Sequence, residues 1–101
     1  MQKFRTFQMA KVLYLETKKL RLRGAVRDQL ERAALSIATN LAEGSGKIGE
    51  KDRRRFFQIA MGSLRETQAL LEITENHEAA KLADQLGASL YQLLRNPGPG
   101  I

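Results

Sequence analysis

Arg32-Ala-Ala-Leu-Ser-Ile-Ala-Thr-Asn-Leu-Ala-Glu-Gly-Ser-Gly-Lys47 has the residue spacing around which the whole chain is arranged. Val26 and Leu30 lead into it, and with Ala34, Ile37 and Leu41 they recur at steps of four and three, so they share one helix face. Ala33, Ala38 and Ala42 widen that face with side chains short enough to let a second helix approach closely. The run stops at Gly44-Ser-Gly46, where glycine can supply a left-handed helix end. A second stretch, Phe56-Phe-Gln-Ile-Ala-Met-Gly-Ser-Leu-Arg-Glu66, mixes small, polar and apolar residues in the same way and reads as its partner.

Across the chain the spacing predicts four helices. The first covers 3–20, with Met9, Val12, Leu13 and Leu20 along one side and Phe4, Phe7, Tyr14 and Leu15 around it. A helix apolar over so much of its circumference is usually buried on two sides, and in a small domain the second side has to come from another subunit. Gly24 marks a turn; helix two runs from Ala25 to Glu43, and a glycine-rich loop follows to Gly49. Helix three covers 50–75, its inner stripe read as Phe56, Ile59, Ala60, Ser63, Leu64, Thr67, Leu70, Leu71 and Thr74. Asn76 reads as the next turn, and helix four covers 77–95. No segment alternates as a strand does. The expected class is all-α, an antiparallel up-and-down four-helix bundle over 1–96, with 97–101 a flexible tail behind Asn96-Pro97.

With 101 residues, 43% of them hydrophobic, the chain reads as one domain with a single modest core. It has no cysteine, which excludes a disulfide framework and a cysteine metal site. No apolar run approaches a membrane span, and the first residues lack a signal-peptide core, so no membrane partner and a cytoplasmic address are expected. The net charge is +6, and residues 1–24 alone carry seven Lys or Arg against Glu16. Such a surface attracts polyanions, nucleic acid first among them. The candidate contacts are Lys11, Lys18, Lys19, Arg21, Arg23, Lys47, Lys51, Arg53, Arg54 and Arg55. The last three are consecutive, so they fan around a helix and cannot form one patch. Marks of sequence readout are missing, and the expected mode is backbone phosphate contact.

Catalytic patterns are thin. The one histidine, His77, has Thr74 three residues before it, so the Glu-x-x-His pattern of a bundle metal site is not met. Ser36 and Ser63 have no histidine in a nucleophile motif. Glu43 and Glu66 sit beside the small-residue faces, where burial would raise a carboxylate's pKa, and they carry the enzymatic alternative. The favoured reading is structural, with Arg32, Asn40, Glu43, Ser63 and Glu66 satisfying one another between helices two and three. Gly44-Ser-Gly46 resembles a phosphate-binding turn only loosely. No enzyme activity, cofactor or metal is expected.

Arg32–Lys47, followed by Lys51-Asp-Arg-Arg-Arg-Phe-Phe-Gln-Ile-Ala-Met-Gly-Ser-Leu-Arg-Glu66, resembles the bacterial four helix bundle protein family. That family includes proteins encoded by intervening sequences in large-subunit ribosomal RNA genes. The carrying motifs are Asn-Leu-Ala-Glu-Gly-Ser-Gly and Ile-Ala-x-Gly-Ser-Leu-x-Glu. The chain is also similar to the accessory variability protein of diversity-generating retroelements. The resemblance implies a homopentamer that binds nucleic acid, RNA or an RNA/DNA hybrid with low sequence specificity. It also implies a reverse transcriptase or ribosomal partner, and no enzyme activity. Gly49 stands where the family usually has a hydroxyl residue capping helix three, at a cost of only a few tenths of a kcal/mol. The alternative is a scaffold for a polymerase or ribosome-associated protein, without specific nucleic-acid binding.

Overall fold

The computed structural model describes residues 2–96; the tail expected at 97–101 lies outside the described residues. Four helices make up the fold: α1 (Gln2–Lys18), α2 (Gly24–Ser45), α3 (Glu50–Ile73) and α4 (His77–Arg95). There is no strand among the described residues. Each helix packs against its neighbours in chain order, and α4 returns to α1, which closes an up-and-down bundle of 40 × 21 × 17 Å.

The core is one contiguous cluster, built from Ala10 and Leu13 of α1, Leu30, Ile37 and Leu41 of α2, Phe57, Leu64 and Leu71 of α3, and Leu86 and Leu90 of α4. In α1 the buried stripe is Thr6, Ala10, Leu13 and Thr17, not Met9 and Val12. Threonine can occupy it because its hydroxyl returns to its own helix: Thr6 Oγ1 donates to the Gln2 carbonyl at 2.8 Å and Thr17 Oγ1 to that of Tyr14 at 2.7 Å. Thr6 also meets Ser89 Oγ at 2.6 Å, fixing the start of α1 against α4. The α3 stripe is likewise rotated from the expected one. Arg53, Phe57, Ala60, Leu64, Thr67 and Leu71 face in, and Ile59 is exposed.

The turns have separate causes. Gly24 takes φ +60, which a side chain would strain. The Gly44-Ser-Gly46 run was expected to supply a left-handed end to α2, but α2 continues to Ser45 and its cap, Gly46, is right-handed at φ −85. Gly44 serves packing instead: a Cβ there would lie 2.8 Å from a ring carbon of Phe57. After α3, it is Glu75 and not Asn76 that turns left-handed, at φ 59. Asn76 N–H then reaches the Leu71 carbonyl at 2.9 Å and Glu75 N–H that of Glu72 at 3.0 Å, a Schellman end.

Candidate nucleic-acid interface

Antiparallel topology redistributes the charge that the sequence lays down in order. The α1–α2 and α3–α4 turns lie together at one end of the rod; the α2–α3 loop lies at the other, with the start of α1 and the end of α4. When each helix is divided at its midpoint, the α2–α3 end holds Lys3, Arg5, Lys47, Lys51, Arg53, Arg54, Arg55 and Arg95 against Glu43, Glu50 and Asp52, a balance of +5. The opposite end holds nine basic and eight acidic groups, a balance of +1. The excess read in residues 1–24 is therefore split: Lys3 and Arg5 lie at the α2–α3 end, and Lys18, Lys19, Arg21 and Arg23 share the opposite end with Glu72, Glu75 and Glu78.

The ten candidate cations consequently do not form one surface. Lys18, Lys19, Arg21 and Arg23 lie exposed at the α1–α2 end, where Lys19 pairs with Glu16 at 3.0 Å and Lys18 Nζ sits 5.4 Å from the Tyr14 ring centre. Lys11 stands alone on the outer side of α1. Lys47, Lys51, Arg54 and Arg55 lie at the α2–α3 end.

Arg53 departs from the expected surface. It is 4% exposed, and its guanidinium donates to the carbonyl oxygens of Lys47, at 3.2 Å, and Ile48. It holds the loop shut from inside and is withdrawn from any ligand. The signal was in the sequence, since Arg53 is one turn ahead of Phe57 on the stripe that continues through Ala60 and Leu64. Arg54 points across to α4, donating to the Leu94 carbonyl, and pairs with Glu50 at 3.3 Å. Arg55 is exposed, with its guanidinium carbon 4.6 Å from the centre of the Phe56 ring. Lys47 Nζ approaches the same ring at 5.3 Å and also pairs with Glu43 at 3.2 Å. The three arginines fan as their consecutive positions require.

Of the expected polar network, Asn40 and Ser63 come together and the rest do not. Ser36 joins them: its hydroxyl meets that of Ser63 at 2.7 Å, and Asn40 Nδ2 donates to Ser36 Oγ at 3.1 Å and to its carbonyl at 2.9 Å. Arg32, Glu43 and Glu66 are exposed on the outer side of the α2–α3 pair. Small residues on the core side of α2 and α3 bring the helices close and turn those longer side chains out to water. The burial that the two carboxylates needed for an acid–base role is therefore absent. Sequence reading also missed Arg27, whose guanidinium donates to the carbonyls of Leu20 and Leu22 and closes the α1–α2 turn.

No helix among the described residues is long and apolar enough to cross a membrane. A family model described as 23S rRNA-intervening sequence protein matches residues 3–96. Neither the curated proteins nor the solved structures gave a match. The matched span takes in all four helices, the Arg32–Lys47 stretch and its α3 partner, and so the chain belongs to the 23S rRNA-intervening sequence protein family.

Proposed function

We propose that this protein is a cytoplasmic, non-enzymatic homo-oligomer that binds RNA or an RNA/DNA hybrid through backbone phosphates. The observation that carries the reading is the +5 balance at the α2–α3 end, where Lys51, Arg55 and Arg95 are exposed and Arg54 is half-buried against the end of α4. The family's link to ribosomal RNA genes supports it. A single copy presents few cations, so repetition around an assembly raises the effective concentration of each weak site. The outer side of α1 supports assembly. Phe4, Val12 and Leu15 are 64%, 47% and 46% exposed there, opposite the buried stripe of the same helix. The pentamer implied by resemblance gives that face its neighbour.

A titration of the purified protein against an RNA hairpin and an RNA/DNA hybrid over a range of salt tests the reading. Four phosphate contacts per protomer give log K falling with log salt at a slope of about −3 to −4. A slope near zero refutes phosphate-driven binding. Sedimentation equilibrium tests the assembly, and a particle of 11.4 kDa at micromolar concentration refutes it.

A second reading draws on Ile59 and Ile73, the latter 72% exposed, on the outer side of α3. They would seat a reverse transcriptase, another polymerase or a ribosome-associated protein, making the bundle a scaffold. That reading gains if nucleic-acid affinity is no better than that of any protein of equal charge while one protein is retained specifically.

A further inference from the structure

The basic end also carries aromatic rings, and they lie beside the cations. On α3, Lys51 and Arg55 are one turn apart on the outer side, and Phe56 next to them holds the Lys47 and Arg55 charges against its ring. Arg54 crosses from α3 to the Leu94 carbonyl, joining this strip to the end of α4. Arg95 follows directly, its guanidinium carbon 5.9 Å from the ring centre of Tyr91. Tyr91 is 55% exposed on a helix whose other outward residues, such as Lys81, Asp84 and Gln92, are polar or small. Cations and ring faces thus follow one another around the outside of this end, from Phe56 on the α2 side of α3, past Arg55 and Arg54, to Arg95 and Tyr91 on α4.

Phosphate contact alone needs no aromatic group. A ring beside a guanidinium offers a flat apolar face within reach of a cation, which matches a nucleobase joined to its phosphate. Duplexes hide base faces in the helical stack, so only an unpaired stretch can present one. We propose that the Lys51–Arg55 strip and Tyr91 bind unpaired nucleic acid, with phosphates on Lys51, Arg54, Arg55 and Arg95 and a base stacked on Tyr91. This rests on the phosphate-binding reading above and adds to it that an unpaired strand is held more tightly than a duplex.

Tyr91 can be watched directly. The protein has no tryptophan and two tyrosines, so in Tyr14→Phe the emission comes from Tyr91 alone. A twelve-residue oligouridine is expected to quench that emission saturably, and an RNA duplex of equal length is not. Tyr91→Leu is expected to weaken oligouridine binding about 5- to 150-fold, the range one stacked base supplies, with duplex binding and salt slope unchanged. Tyr91→Phe is expected to restore the affinity. Equal binding of duplex and oligouridine, with Tyr91→Leu silent on both, overturns the stacking proposal and leaves phosphate binding standing. Binding of neither RNA at any salt concentration overturns both.

Discussion

Gly44→Ala should destabilise the bundle, although replacing a helical glycine by alanine ordinarily stabilises. The added Cβ would lie 2.8 Å and 3.0 Å from two ring carbons of Phe57 and 3.0 Å from Phe56 Cβ. Phe57 is fully buried, so its ring has no room to retreat, and a Cβ moves only with its backbone. The end of α2 and the start of α3 must therefore separate. Overpacking costs about 1–3 kcal/mol, a clash with a buried ring lies in the upper part of that range at about 2–3 kcal/mol, and the helix-propensity gain offsets about 1 kcal/mol of it. The net loss of about 1–2 kcal/mol corresponds to a Tm lower by roughly 4–15 °C for a domain of this size. Gly62→Ala is the control, since no atom lies within 4 Å of its Cβ position; it should gain about 0.5–1 kcal/mol. Thermal and urea unfolding followed by circular dichroism read both changes. Adding Phe57→Leu to Gly44→Ala should cost less than the sum of the single losses, because the two groups collide. If Gly44→Ala is stabilised to the same degree as Gly62→Ala, the helices are not held apart only by a hydrogen atom and the packing argument fails.

Arg53→Met should lower stability by about 2 kcal/mol through its lost loop hydrogen bonds and leave RNA affinity nearly intact; Arg55→Ala should do the reverse, and parallel melting and binding curves separate the two. Glu75→Gly should raise stability by about 1 kcal/mol, since glycine takes a positive φ without steric cost; no gain in urea midpoint refutes the strain. Leu15→Glu, on the outer side of α1, should yield a helical monomer in sedimentation equilibrium, and an unchanged assembly would exclude that face as the contact.

Helix positions were legible because apolar spacing marks each helix over many turns. The expected spans 3–20, 25–43, 50–75 and 77–95 fall within two residues of those observed at every boundary. Which face turns inward was less legible. Where a helix is apolar on two sides, as α1 is, periodicity alone does not choose between them. The deciding residues were Thr6 and Thr17, which look polar in a sequence but satisfy their hydroxyls on their own backbone. Arg53 misled for a related reason: its charge argued for the surface, and two loop carbonyls gave it a place inside. Ser63 and Asn40 were readable as a pair because small and polar residues share their faces, but Ser36 between them was weighed only as a nucleophile. The charge map was misplaced because a tally by segment ignores antiparallel return, which puts Glu72, Glu75 and Glu78 at the same end of the rod as Lys18–Arg23.

The uneven ends of the 40 Å rod have a kinetic consequence. A particle whose positive surplus lies at one tip has a dipole along its length, and the field of a polyanion exerts a torque on it. Rotation brings the α2–α3 tip forward before the surfaces touch, so a larger share of collisions start in register. Added salt shortens the range over which that torque acts, and arrival should slow even where the final contacts are unchanged.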